Sequence, residues 1–124
     1  GLAFLAALDD AQREDMMQQI GENTLSNGHD FYASFEKDKL ITKIQEQGYS
    51  TYLKNPHSKD PGKSSSIGVP ILLDGTVVGA MTLIFFSSAL KIEKAIEDYI
   101  EPIRETQRRI SASLIQDRVF DEAA

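Results

Sequence analysis

The sequence predicts a mixed class of fold, with helices packed around an antiparallel pair of strands, and three features carry that reading. Apolar residues recur at helical spacing near both ends of the chain. A central stretch alternates apolar and polar residues at period two, and Asp74-Gly75 divides that stretch with a strong two-residue hairpin signal. With 124 residues, 41% hydrophobic and 26% charged, the chain suits one domain with one modest core.

Leu2, Leu5, Ala6 and Leu8 are spaced like the buried face of a first helix. Asp9 followed by Gln12 is a variant capping box, so a second helix is expected over about Asp10 to Ile20. Gly21 and Ser26-Asn27-Gly28 then punctuate the chain. A third helix is expected from roughly Phe35 to Gln47, with Leu40, Ile41 and Ile44 on one face, Phe31, Tyr32 and Phe35 packing beside it, and Gly48 closing its C-terminal end. Tyr49 to Leu53 reads as a short strand, and Asn55 to Gly62, dense in turn residues, as a mobile loop. Two antiparallel strands follow, about Ser65 to Leu73 and Thr76 to Ser87, with Ile67, Val69 and Ile71 sharing a face. Pro70 has no N–H to donate, so that side of the strand must meet an edge, a bulge or solvent. After Ser88 a long helical pattern runs through Ile92, Ala95, Ile96, Tyr99, Ile103, Ile110 and Leu114. Pro102 inside it must either kink one helix or open a second. Residues 1–118 are read as the domain and 119–124 as a frayed tail.

The charge balance narrows the function. Net charge is -6, from 13 Lys plus Arg against 19 Asp plus Glu, which opposes direct binding to a phosphate backbone. Arg104, Arg108, Arg109 and Arg118 are the only basic cluster, and Glu101, Glu105 and Asp117 among them make it a solvated mixed-charge face. The absence of Cys excludes disulfides, thiolate metal sites and Cys nucleophiles and permits a reducing cytoplasm, the expected location. The longest apolar run, near Val77 to Phe86, is far short of the roughly 20 residues that span a bilayer as a helix. Gly1 to Leu8 has no basic stretch before it, as a signal peptide would, and no initiator Met. The chain is therefore expected to be an excised fragment.

Catalytic patterns are weak. His29 and His57 lie in separate Gly/Asn/Pro-rich loops without metal-ligand spacing, Ser64-Ser65-Ser66 is no nucleophile elbow, and Gly62-Lys63-Ser64 lacks the upstream Gly of a phosphate-binding loop. No catalytic residue, metal site or cofactor is expected. The strands do place a few hydroxyls among apolar neighbours, at Tyr52, Ser66, Thr82 and Ser87, which is the composition of a small-molecule pocket.

Motifs in a fixed order sharpen this reading. Gly1-Leu2-Ala3-Phe4-Leu5-Ala6 followed by Asp9-Asp10-Ala11-Gln12-Arg13 resembles the G-x-A-x-L-A helix and acidic cap of IclR-family effector domains. Ile44 to Ser50 resembles that family's helix end and G-Y segment, Ser66-Ile67-Gly68-Val69-Pro70-Ile71 its S-I-A-V-P strand, Val77 to Leu83 its next strand, and Ile110-Ser111-Ala112-Ser113-Leu114 its closing I-S-x-x-L. Gly68 stands where Ala is common in the family, which would widen a pocket slightly.

The resemblance implies an α+β, GAF/PAS-like domain: an antiparallel sheet flanked by helices, with an effector cavity on one sheet face and the first strands of the domain missing from this chain. It implies contact with DNA only through a helix-turn-helix domain upstream, regulation by a small carboxylate effector, no enzymatic activity, and assembly as a homodimer or homotetramer. The effector-binding residues it implies are Gly1 and Leu2, through free N–H groups at the helix start, with Tyr52, Ser66, Thr82 and Ile84. Thr82 and Ile84 are two apart and share a face. Relatives that take small keto acids have hydroxyls at both positions, so Ile84 implies a larger, more apolar effector. Ser88 to Ala95, with Pro102 beyond, resembles the hydroxyphenylpropionate-type activators of aromatic-acid catabolism. The alternative is a GAF/PAS-like sensor module of another signalling protein.

Overall fold

The computed structural model describes the backbone of residues 1–23, 37–56 and 58–123, and the side chains of 1–19, 39–56 and 58–117. In order, the elements are α1 (Leu2–Ala7), α2 (Asp10–Asn23), α3 (Lys37–Gln47), β1 (Ser50–Tyr52), β2 (Ser64–Leu73), β3 (Thr76–Phe86) and α4 (Ile92–Ala123). The architecture is α+β, with a three-stranded antiparallel sheet of order β1-β2-β3 flanked by helices.

Local chemistry explains most boundaries. The backbone N–H of Gln12 donates to Asp9 Oδ1 at 2.7 Å, and that of Asp9 donates to Gln12 Oε1 at 3.3 Å. This reciprocal capping box starts α2 where the sequence places it. Gly48 closes α3 at φ +82°, its N–H donating to the Ile44 carbonyl at 2.8 Å. Asp74 and Gly75 both have positive φ, +51° and +78°, as a two-residue turn matched to the strand twist requires.

The sheet separates two environments. On one face Ile67, Val69, Met81, Leu83 and Phe85 pack beneath α4 against Ala95, Ile96, Ile100 and Ile103, forming the main core. On the other face lies the short α1, itself packed through Leu2, Leu5 and Ala6 against Ile41 and Ile44 of α3. The buried guanidinium of Arg13 fixes the far end of α1. It donates to the carbonyls of Leu5 (2.8 Å), Ala6 (3.3 Å) and Leu8 (2.6 Å) and pairs with Asp10 at 2.9 Å. Carbonyls at the end of so short a helix lack the usual i+4 donors; Arg13 serves all three, sharing Leu5 O with the Leu8 N–H and Ala6 O with Gln45.

Two expectations are revised, the end of α2 and the character of the loop after β1. Helix α2 runs through Gly21 to Asn23, so glycine does not end it. Of the two places expected for Pro102, the structure has the one inside a single helix, its carbonyl accepting from Thr106 Oγ1 at 2.9 Å. The segment after β1 is a closed, hydrogen-bonded loop. Asn55 N–H donates to Ser64 O, Gly62 N–H to Asn55 O, and Ser58 Oγ to the carbonyls of Asn55 and Asp60. Pro70 lies beyond the end of β1, whose last pairing along β2 is with Gly68, and beside the bulge at Ile71/Leu72, as its missing N–H demands. The places assigned to Ser26-Asn27-Gly28, His29, Phe31, Tyr32, Phe35 and His57 lie outside the described residues.

Candidate functional site

Strand register decides which of the sequence-derived residues meet. Tyr52 pairs with Ser66 and Ser66 with Ile84, so these three form one row across the sheet. Ser50, Gly68 and Thr82 form the adjacent row, and Ser64 with Phe86 the next one on the other side. Residues directly opposite across antiparallel strands, and residues two apart along one strand, project from the same face. Tyr52, Ser66, Thr82 and Ile84 therefore share a face, the one opposite α4.

Helix α1 roofs part of that face. A Cβ built on Gly68 would lie 3.6 Å from the Ala3 Cβ, so Ala3 stands directly over the Ser50–Gly68–Thr82 row. Ala3, Ala6 and Ala7 also line a cavity of about 240 Å3 with Ile44, Gln45, Gly48, Pro70, Leu72 and Gly75. The helix thus lies over Gly68 and over the Pro70–Leu72 end of β2. The Leu2 side chain belongs to the cluster with Leu5 and Ile44, so Gly1 and Leu2 offer backbone N–H groups and no side chain. None of the six expected residues lines the cavity, which lies along α1 from Ala3 to Ala7.

The face beyond α1 is open and apolar. Ile84 is 68% exposed and Phe86 66%, beside the half-buried Tyr52 and Ser66. Such a shelf offers ring contacts, with hydroxyls at Tyr52, Ser66 and Thr82 to orient a polar group. Burial pushes the Tyr52 phenol up from its ordinary value, so it remains a neutral donor throughout the neutral range. Phe86, Ser50 and Gly68 complete the face and were not singled out as binding residues in the sequence. The two-residue period that linked Thr82 to Ile84 reaches Phe86 in one more step. Ser50 and Gly68 needed the register.

Two arginines of the basic cluster of α4 form ion pairs, Arg104 with Glu101 at 3.2 Å and Arg108 with Glu105 at 2.9 Å. Arg104 also donates to the Gln47 carbonyl at 2.9 Å and lies over the Tyr49 ring, tying α4 to the end of α3. Among the described residues no group of three or more His, Asp or Glu is arranged to hold a metal, and no helix is long and apolar enough to cross a membrane.

No protein-family model matches the chain. Solved structures do. The transcriptional regulator RHA06195 from Rhodococcus sp. RHA1 superposes with a TM-score of 0.69 at 18% identity, over 93% of this chain and 45% of its own. An IclR-family transcriptional regulator from Brucella abortus gives 0.65 at 24% identity, over 91% and 41%. The inducer-binding domain of the PobR transcription factor from Acinetobacter, solved as a double mutant in complex with 3-hydroxybenzoic acid, gives 0.63 at 14% identity, over 89% and 62%. The chain thus has an α+β fold found in transcriptional regulators and their C-terminal domains. More particularly, it is the fold of IclR-family regulators, among which its structural neighbours lie. The chain spans less than half the length of the first two structures.

Proposed function

We propose that residues 1–118 form an effector-binding domain of an IclR-type transcription regulator, and that the effector is a small aromatic carboxylic acid. The observation that supports this most is the gathering of Tyr52, Ser66, Thr82 and Ile84 on one sheet face, open beside the start of α1. The ring lies on Ile84 and Phe86. The carboxylate takes hydrogen bonds from the Ser66 and Thr82 hydroxyls and from the free N–H groups at Gly1 and Leu2. The 3-hydroxybenzoic acid held by the PobR inducer-binding domain, a neighbour in fold, has this chemistry. Regulation then needs no catalytic step. An effector that binds one arrangement of the whole regulator more tightly shifts its population, and DNA is contacted through a separate helix-turn-helix domain in a cytoplasmic homodimer or homotetramer. The regulated genes are those of aromatic-acid breakdown.

Calorimetric titration tests this reading. Ile84 is exposed in the free domain, so Ile84→Ser should leave folding intact and weaken 3-phenylpropionate by about 1–2 kcal/mol, somewhat below the value of burying a whole aliphatic side chain. Pyruvate should suffer less. Thr82→Val removes one hydroxyl at constant shape and should cost about 1 kcal/mol with any carboxylate it contacts. Binding of pyruvate alone, or phenylpropionate affinity indifferent to Ile84→Ser, would sink the aromatic effector.

A further inference from the structure

Gly68 is a costly residue for the middle of a buried strand, because glycine contributes no packing and loses the most backbone entropy. Its backbone gives no reason for the choice, since it lies outside the left-handed region. The reason is space. A Cβ on Gly68 would lie 2.7 Å from Ser50 Oγ, closer than real Cβ contacts come, while its distances to Thr82 Oγ1 (3.5 Å) and Ala3 Cβ (3.6 Å) are ordinary. The extra width that glycine gives this site is therefore not empty. The Ser50 hydroxyl fills it.

That hydroxyl has little else to do. Ser50 is 8% exposed, and its Oγ reaches the Gly68 carbonyl only at 3.5 Å, the outer limit of a hydrogen bond. A buried hydroxyl is ordinarily satisfied more firmly than this. It lies in the same row as Thr82, on the other side of Gly68, under the first turn of α1.

We propose that Ser50 is a specificity-determining residue of this site: Gly68 leaves room for the Ser50 hydroxyl to lie over β2, where with Thr82 it takes hold of the carboxylate of an aromatic acid from two sides. The inference rests on the effector reading above and names which polar atoms of the floor read the ligand. Gly68→Ala, which changes no polar group, should turn the Ser50 hydroxyl away and so act like Ser50→Ala.

The experiment is a double-mutant cycle, titrating wild type, Ser50→Ala, Gly68→Ala and the double variant with 3-phenylpropionate, 3-hydroxybenzoate and the uncharged 3-phenylpropionamide. Each single variant should bind the acids roughly threefold to tenfold more weakly, the range of one hydrogen bond. The double variant should lose no more than the worse single, and the amide should be nearly indifferent. Losses that multiply, or that fall equally on acid and amide, would show a packing role and overturn the proposal, as would unchanged affinity in Ser50→Ala. Ser50→Ala removes a single oxygen and carries the test even if Gly68→Ala fails to fold. A wild type that binds neither acid overturns the effector reading and this inference with it. A wild type that binds both, with Ser50→Ala unaffected, overturns this inference alone.

Discussion

Replacing Arg13 by Met removes the guanidinium that caps α1 and keeps most of the aliphatic stem in place. Its effect can be worked through carbonyl by carbonyl. Ala6 O retains Gln45 Nε2 at 3.0 Å, and Leu5 O retains the Leu8 N–H at 3.3 Å, whereas the 2.6 Å bond to Leu8 O is lost outright. One carbonyl left bare costs about 1–3 kcal/mol, and two weakened neighbours bring the expected loss to about 2–3 kcal/mol. For a domain of this size that is a fall in Tm of roughly 8–12 °C. Asp10 is fully exposed, so Asp10→Asn should melt close to wild type. Gln45→Ala supplies the coupling. Combined with Arg13→Met it strips Ala6 O of both donors, so the double loss should exceed the sum of the singles by about 1 kcal/mol. Urea unfolding of the four variants beside wild type checks this. A loss under about 1 kcal/mol for Arg13→Met, or strict additivity with Gln45→Ala, would refute the view that Arg13 holds α1 in place.

Other consequences are simpler to measure. Ile67 has no solvent exposure and lies in the core between the sheet and α4, so Ile67→Ala should cost about 2–5 kcal/mol in chemical unfolding. Gly75→Ala places a side chain at φ +78° and should cost about 1–2 kcal/mol, although a Cβ there meets nothing within 4 Å; an unchanged midpoint would mean the turn relaxes. Because burial raises the Tyr52 phenol in the folded state, its contribution to stability is intact below the unfolded value of 10.0 and is lost as pH rises through the folded one. Part of the alkaline loss of stability should therefore disappear in Tyr52→Phe, as thermal melts across that range would show.

Elements with strong local chemistry were legible before any coordinates. The Asp9/Gln12 box, the Gly48 stop and the Asp74-Gly75 hairpin are decided by a few adjacent residues, and they stand where the sequence puts them. What tertiary contacts decide was not legible. Gly21 looks like a stop but stays helical, and nothing in Asn55 to Gly62 announces that its backbone closes on Ser64. The candidate site divides in the same way. Period two placed Thr82 and Ile84 together, while the juxtaposition of Ser50, Gly68 and Thr82 depends on a register set across separate strands. The role of Arg13 was equally hidden, because an Arg in an acidic helical turn reads as a surface ion pair until α1 is seen to end beneath it.

The most direct test of the central claim is to map backbone amide shifts as 3-phenylpropionate is added to the isotopically labelled domain. The account predicts the largest changes at Tyr52, Ser66, Thr82, Ile84 and Phe86, saturating together. Changes centred on Ala6, Ala7, Gln45, Leu72 and Gly75, around the cavity beneath α1, would contradict it, as would the absence of any saturable change.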